Sequence, residues 1–495
     1  LARRHCVSCH EFTPPEILPK KSWNFLLTFM GLRLGIDDDS YLVNPTETEK
    51  AVIDARRLSL HLWKRIPETP AMSPEDWKAL RQFYAENAPE TLPESEYKLS
   101  SMGLVDLFAE KKHQYQVKNA VTSLVHIDEA NRQVLIGDSR NQVLTTLDSD
   151  LNIAFSTQPS DYTFWVDAVS TKEGVHLLSI GDLFAYFVGG KLGRVSYLEK
   201  IGFMYLTEEV LLDGLYRPSA MEFADMNNDG VDELLVCGYG AEGGDFSIYE
   251  REEEGAAFKS EPINTLHQNS GAIQCDTHDL NNDGLKDIVL LISDFDEQLC
   301  LFINDGKGGY EKKVIFDPLP SWGYVNFQLV DMNQDGLVDI VASNGDGPDS
   351  DPYATLKPQH GIRIYLNDGN LGFAESYFYP MHGCYQLEAH DYDQDGDIDI
   401  ASCSFYPEFE SDTSENFVYL EQTETMKFSP KHHPAADQGR WMTMDAGDLD
   451  QDGDIDIVLG ATYIPIGVPA SRLEAFNELL ENGPTILFLE NKLVD

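Results

Sequence analysis

The sequence predicts a multidomain chain in two parts: an N-terminal all-α segment over residues 1–97 and an all-β propeller of seven blades over 113–495, with 98–112 as the linker between them. Three observations carry this reading. Helical periodicity with clear start signals is confined to the N-terminal part, and short apolar runs between Gly, Asn and Asp turns fill the remainder. Within that remainder an acidic loop recurs at intervals of about 52–60 residues, the period of a propeller or repeat array. With 42% hydrophobic and 24% charged residues over 495 positions, the chain can bury a core and is neither wholly disordered nor collagen-like.

The helices come first. Trp23, Leu26, Leu27 and Met30 share one face of a helix expected over Pro19–Arg33. Asn44-Pro45-Thr46-Glu47 reads as an N-cap, a proline in the first helical position and an early acid, followed by Val52, Ala55, Leu58 and Leu62 at helical spacing. Ser73-Pro74-Glu75-Asp76 repeats the start signal, and Trp77, Leu80 and Tyr84 form the stripe of a last helix ending near Ala88-Pro89.

The acidic loops define five blades. Asp225-Met-Asn227-Asn-Asp229-Gly230 recurs as Asp279 to Gly284, Asp331 to Gly336, Asp391 to Gly396 and Asp448 to Gly453. Each leads into an apolar run such as Ile288 to Ile292, and a further strand follows. Weaker echoes around His126-Ile-Asp128 and Trp165-Val-Asp167 lack the loop but supply two more blades, and seven repeats of about 55 residues fill 113–495. The last repeat stops after Phe488-Leu-Glu490-Asn491, one strand short. Leu107 to Val117 resembles that missing strand, so strands from both ends of the chain are expected to close the ring and remove its open edge.

Hard cations take several oxygen ligands, and alternate positions of a tight loop can point at one centre. Positions 1, 3, 5 and 9 carry oxygen in all five loops: Asp225, Asn227, Asp229 and Glu233; Asp279, Asn281, Asp283 and Asp287; Asp331, Asn333, Asp335 and Asp339; Asp391, Asp393, Asp395 and Asp399; Asp448, Asp450, Asp452 and Asp456. The backbone carbonyl at position 7 (Val231, Leu285, Leu337, Asp397, Asp454) offers another oxygen, and the glycine at position 6 permits the turn. An EF-hand needs Glu at position 12, where these loops have Val236, Leu290, Ala342, Ser402 and Leu459. A plain Asp-Asn-Gly turn is the competing reading of any one copy. The loops resemble those of the FG-GAP/VCBS family of calcium-binding propellers, strongly over 220–495 and weakly over 113–219. The resemblance implies about five structural Ca²⁺ ions and a role in recognition or scaffolding.

Cys6-Val7-Ser8-Cys9-His10 is the C-x-x-C-H pattern of c-type haem attachment, in which Cys6 and Cys9 form thioethers and His10 binds the iron from one side. A zinc site would need two further ligands, and a thioredoxin-like pair a βαβ context. Cys6 to Ile36 with the helix at 73–88 resembles a small single-haem cytochrome c, without a clear Met-Pro loop before the last helix. The second axial ligand is assigned to Met30, whose neighbour Gly31 would let the backbone approach the ring; Met72, His61 or no protein ligand are the alternatives. Trp23, Trp63, Trp77 and Tyr84 read as haem-pocket or helix-packing residues.

The formal charge of −48 opposes binding to nucleic acid or anionic lipid. No apolar stretch reaches the length of about 18 residues that spans a bilayer. A start at Leu1 rather than Met points to an upstream targeting or anchor segment, so membrane association is expected only through such an anchor or a partner. Covalent haem implies export to the periplasm or outer surface of a bacterial envelope. There, oxidation of one or two pairs among Cys237, Cys275, Cys300, Cys384 and Cys403 is open. No G-x-S-x-G or H-E-x-x-H pattern occurs and His432-His433 reads as solvated, so no catalytic role is expected. The reading that uses both parts is an electron-transfer cytochrome whose calcium-stabilised propeller docks it to a redox partner in an envelope complex. The alternative is a recognition or adhesion propeller with an accessory haem segment.

Overall fold

The computed structural model describes residues 2–6, 12–42, 44–93, 102–158, 164–182, 190–240, 242–253, 255–293, 296–346, 353, 355–410 and 415–494. Seven antiparallel sheets form the ring. Blade 1 runs Thr122–Asp128, Gln133–Asp138, Val143–Asp148 and Ile153–Thr157, and blade 2 Trp165–Ser170, Gly174–Ser179, Gly193–Ile201 and Met204–Leu215. Blade 3 runs Pro218–Ala224, Glu233–Gly238, Phe246–Tyr249 and Asn264–His267, and blade 4 Ala272–His278, Asp287–Ile292, Gln298–Asn304 and Tyr310–Phe316. Blade 5 runs Tyr324–Val330, Asp339–Asn344, Gly361–Asn367 and Phe373–Pro380, and blade 6 Cys384–His390, Asp399–Ser404, Phe417–Glu424 and Lys427–His432. Blade 7 takes Trp441–Gly447, Asp456–Ala461 and Ile486–Asn491 from the C-terminal end, and Phe108–Glu110 from upstream of blade 1 as its outer strand.

The expected closure is therefore present: Phe108 pairs with Asn491 and Glu110 with Leu489, antiparallel. Gly103–Leu104 adds a short parallel strand beside Lys431 and His432 on blade 6. Residues expected to be linker thus complete blade 7 and add a fifth strand to blade 6. Hairpin pairing across separated stretches of chain covers sheet edges that would otherwise be open to other strands. The second strands are buried throughout, as in Asp287–Ile292 and Asp456–Ala461, apart from half-buried His176 in blade 2, and neighbouring blades share apolar clusters.

First strands of adjacent blades contact one another around the axis, and polar side chains join them. Asp167 accepts the Met221 N–H at 2.8 Å, Gln274 that of Phe327 at 2.9 Å, Asn326 that of Leu387 at 3.2 Å and Gln386 that of Met444 at 2.9 Å. Each bond satisfies a backbone donor at a blade seam that would be costly to leave unmade.

The N-terminal helices are α1 (Ala2–Cys6), α2 (Lys20–Arg33), α3 (Glu47–Leu62) and α4 (Pro74–Asn87); α5 (Leu473–Asn482) lies between the second and third strands of blade 7. The last two N-terminal starts follow capping chemistry. Ser73 accepts the Asp76 N–H ahead of Pro74. Before α3 the cap is Thr46, not Asn44: Thr46 and Glu49 form a reciprocal capping box, while Asn44 sits at φ 52° outside the helix. Trp23, Phe25, Leu26, Leu27, Ile53, Met72, Trp77, Leu80 and Tyr84 pack as one core. Gly31 is required there for a reason other than the expected one. A Cβ at this position would lie 2.9 Å from both the Trp77 ring and the Ile36 carbonyl, so helix packing excludes a side chain.

Candidate metal centre and the helical face

The five acidic loops join first to second strands in blades 3 to 7, on one face of the ring. In each, the residue at position 4 (Asn228, Asn282, Gln334, Gln394 or Gln451) is left-handed, and the glycine at position 6 has φ between 84° and 99°. This reversal folds the side chains at positions 1, 3 and 5 back over the turn. In blade 3, Asp225 accepts the Gly230 N–H at 2.9 Å, Asn227 accepts the Asp229 N–H at 2.8 Å and Asp229 accepts the Val231 N–H at 2.9 Å. The same three bonds recur in the other four loops.

Carboxylates converge most closely in blades 6 and 7. One oxygen each from Asp391, Asp393 and Asp395, and likewise from Asp448, Asp450 and Asp452, lie within 4.8 Å of one another. In the blade 6 loop, Asp391 Oδ1 and Asp397 Oδ1 are buried with no hydrogen-bond partner among the described residues. Burial, with the neighbouring acids adding to it, pushes Asp397 and Asp454 up to about 6. Orphaned acceptors and mutually repelling carboxylates are what a bound divalent cation would satisfy, so this donor set fits Ca²⁺.

Position 9, expected as a ligand, also bonds within the protein. Asp287 accepts N–H groups from Leu280 and Asn304, Asp339 from Met332 and Asn367, Asp399 from Gln422, and Asp456 from Asn491. Glu233 accepts the Met226 N–H and the Asn227 side-chain amide. These carboxylates are buried pins between the loop and its own blade, each accepting at least one protein donor. The sequence also concealed a contact between blades. The side chain at position 4 reaches the next loop: Asn228 donates to the Gly284 carbonyl, Gln334 to Gly396, Gln394 to Gly453 and Gln451 to Glu129 of blade 1. A polar residue at a left-handed position of every loop was the available signal.

The N-terminal helices sit on the opposite face, on loops that follow second strands or precede first strands. Arg33 makes two bonds to the Glu242 carboxylate at 2.7 and 2.8 Å, and Arg65 donates to the Glu242 carbonyl. The Trp63 ring packs on Tyr216, with centroids 5.3 Å apart, and lies against Gly243. Tyr353 of blade 5 donates to Glu49 and packs on Phe25. Trp63 is thus a docking residue, whereas Trp23, Trp77 and Tyr84 belong to the helical core. Of the haem-motif residues, Cys9, His10 and the side chain of Cys6 lie outside the described residues. Met30 is half-buried at the edge of the helical core, Met72 is inside it and His61 is exposed. His433, expected to be solvated, instead accepts the Ala435 N–H as the cap of a short 3₁₀ turn.

The FG-GAP-like repeat family matches residues 225–290, 279–342 and 391–459, the stretches that carry all five acidic loops whole and the start of each following strand. No curated protein is matched by the sequence. Among solved structures, the chain is similar to the N-terminal domain of Nup159, at 10% identity and a TM-score of 0.44, with 78% of this chain and 96% of that one covered. It is also similar to BBS1N in its complex with ARL6DN, at 11% identity and a TM-score of 0.45 with 78% and 96% covered. A third is Saccharomyces cerevisiae Sqt1, at 9% identity and a TM-score of 0.41 with 77% and 99% covered. Repeat match and sheet order together establish a seven-bladed β-propeller bearing FG-GAP-like repeats.

Proposed function

We propose that this chain is a recognition propeller that docks a protein partner and presents its N-terminal helical segment to it, with that segment carrying one covalent haem c for electron transfer. The recognition half is supported by the FG-GAP-like repeats and by the ring itself, whose loop-bearing faces offer broad surfaces for a partner. The observation that carries the reading is the seat of the helices. The Arg33–Glu242–Arg65 cluster and the Trp63–Tyr216 contact hold α2 and α3 on one face, leaving the acidic loops free on the other. A charge of −48 favours a basic partner surface and an association rate that falls with salt.

The electron-transfer half rests on Cys6-Val7-Ser8-Cys9-His10. When bound, haem supplies a one-electron couple tuned by its axial ligands and by burial. In this reading His10 is one ligand, Met30 the other, and the compartment is the periplasm or cell surface. Ca²⁺ at the five loops pins the blade hairpins and takes no part in the electron step. No catalytic constellation enters the reading, and the partner is a redox protein of an envelope complex.

The test is expression of the full chain with export and haem-maturation machinery, followed by optical redox titration of the purified protein. The expected result is a reversible c-type spectrum that survives denaturation and is lost in Cys6→Ala and Cys9→Ala. A chain that carries no covalent haem under those conditions overturns electron carriage. It leaves the second reading, a recognition or adhesion propeller with an accessory helical segment, which the repeats and the docked helices support without haem.

A further inference from the structure

We propose that the acidic loops of blades 5, 6 and 7 take up divalent cations as one coupled unit, with Gln334 and Gln394 as the coupling residues, while the loops of blades 3 and 4 form a separate pair. This rests on the calcium reading of the loops and adds to it which sites act on one another.

Naming each loop by its blade, the residue at position 4 stands between two ligand positions of its own loop and reaches a carbonyl between two ligand positions of the next. Gln334, between Asn333 and Asp335, donates to the Gly396 carbonyl at 2.6 Å, and Gly396 lies between Asp395 and Asp397. Gln394, between Asp393 and Asp395, donates at 2.8 Å to the Gly453 carbonyl, which lies between Asp452 and Asp454. Gln451 then donates to the Glu129 carbonyl at 3.1 Å, and the Glu129 carboxylate accepts the Asp448 N–H at 2.9 Å. Loop 7 is thus anchored on blade 1, which carries no acidic loop of its own. The series is broken between blades 4 and 5. Asn228 of loop 3 donates to the Gly284 carbonyl of loop 4 at 3.1 Å, but Asn282 of loop 4 makes no such bond to loop 5 among the described residues.

These bonds pass order from loop to loop. An ion held by positions 1, 3 and 5 of loop 6 fixes the backbone on both sides of Gln394, and with it the amide that holds Gly453. Loop 7 then binds its own ion with part of the ordering cost already met, which is positive coupling, and linkage makes the effect reciprocal. Repulsion between the ions does not cancel it. Asp391, Asp393 and Asp395 on loop 6, and Asp448, Asp450 and Asp452 on loop 7, bring three carboxylates to each site, so each loop stays net negative with one Ca²⁺ bound. One exposed neutral hydrogen bond sets the scale, about fivefold in affinity per link.

The test is peptide-resolved hydrogen exchange on the full chain, stripped with EDTA and titrated with Ca²⁺ alone, reading the Ca²⁺ midpoint at which each loop gains protection. Asp395→Asn, which weakens the ion site of loop 6, should move the loop 7 midpoint to about fivefold higher Ca²⁺. Gln394→Met keeps the side-chain length and removes the donor; in that background Asp395→Asn should leave loop 7 unmoved, the signature of a direct link in a double-mutant cycle. Asp283→Asn in loop 4 should shift loop 3 and leave loops 5, 6 and 7 where they were. A loop 7 midpoint indifferent to Asp395→Asn, with Ca²⁺ protecting every loop, overturns the coupling and leaves the calcium reading standing. A shift of loop 5 by Asp283→Asn overturns the break between blades 4 and 5. Should Ca²⁺ change exchange in no loop, the calcium reading falls and the coupling falls with it. Gln394 is exposed, so the melting curve of Gln394→Met in EDTA is expected to match that of the natural chain. If that variant fails to fold, the response of loop 7 to Asp395→Asn in the otherwise natural chain decides.

Discussion

His126 Nδ1 of blade 1 lies 3.1 Å from Asp445 Oδ2 of blade 7, at the seam where the ring closes. The same Asp445 oxygen accepts the Ile127 N–H at 2.7 Å, and His126 Nε2 reaches the Ser170 hydroxyl of blade 2 at 2.9 Å. Three blades are thus joined through one imidazole and one carboxylate. Asp445→Ala strands the Ile127 donor and removes the imidazole's counter-charge, and should cost about 1–3 kcal/mol in chemical denaturation. Asp445→Asn retains an acceptor for the backbone and should cost less. Equal losses for the two variants would show that packing, and not the hydrogen bond, closes the seam.

The same region makes stability depend on pH. Burial works against the imidazolium of His126, but the hydrogen bond and charge of Asp445, with Asp128 and Asp167, outweigh it and leave its pKa raised. A raised histidine contributes stability that is fully present below its unfolded pKa and is lost as pH climbs through the folded value. Glu222 on the neighbouring blade 3 is pushed up to about 7, by burial first and then by Asp276. In the folded state it holds its proton longer than in the unfolded chain, so stability falls as pH rises from the ordinary carboxylate range through about 7. Both groups act in the same direction. Glu222→Gln should therefore stabilise the protein by about 1–2 kcal/mol at pH 8 and by little at pH 4. Parallel melting curves of the two proteins across that range would sink this assignment.

Loop positions 5 and 9 should separate under chelation. Asp283 lies in the turn, where a cation would sit, whereas Asp287 is buried and accepts backbone N–H groups from Leu280 and Asn304. Asp287→Ala should cost about 2–3 kcal/mol whether or not EDTA is present, because two buried donors lose their acceptor. Asp283→Asn should lower the melting temperature in Ca²⁺ and change it little after chelation. If EDTA leaves the natural chain's melting temperature unchanged and calorimetry finds no Ca²⁺ uptake, the loops are turns alone.

These contrasts mark how far the sequence could be read. The five loop-bearing blades were legible because a left-handed residue followed by glycine forces one turn, and the chain repeats it. Blades 1 and 2 were legible through the weaker echoes around His126 to Asp128 and Trp165 to Asp167 and through the length that two more repeats would fill, and the closing strand through the likeness of Leu107 to Val117 to other outer strands. What a carboxylate faces was not legible. Asp287 and Asp283 have identical chemistry four residues apart, and only the fold decides which meets backbone donors. Asn44-Pro45 imitated a helix start because it carries the right residue types two positions early, before Thr46 and Glu49 supply the reciprocal bonds. The latch residues Asp167, Gln274, Asn326 and Gln386 each read as one polar position in a strand, since their partners lie a whole blade away.

The seat of the helices on the propeller gives the last prediction. A Cβ built on Gly243 would lie 2.4 Å from the Trp63 ring, closer than any atom pair can settle, and the ring is backed by Tyr216 with centroids 5.3 Å apart. Trp63 cannot retreat without leaving that stack, so Gly243→Ala should lift the end of α3 from blade 3. Glu242→Gln weakens the same seat differently, by taking the charge from the carboxylate that receives both Arg33 bonds. Glu242 is largely buried and Arg33 mostly so, so the pair is worth more than a surface ion pair, and its loss should cost about 1–2 kcal/mol of docking. The measurement is hydrogen exchange on the full chain. Both variants should speed exchange in α2, α3 and the loop around Glu242, while the second strands of the blades stay as protected as before. Unchanged exchange in α3 for Gly243→Ala would mean that the helices do not bear on the propeller through Trp63. Faster exchange throughout the ring would mean that the substitution unfolds blade 3 rather than releasing the helices.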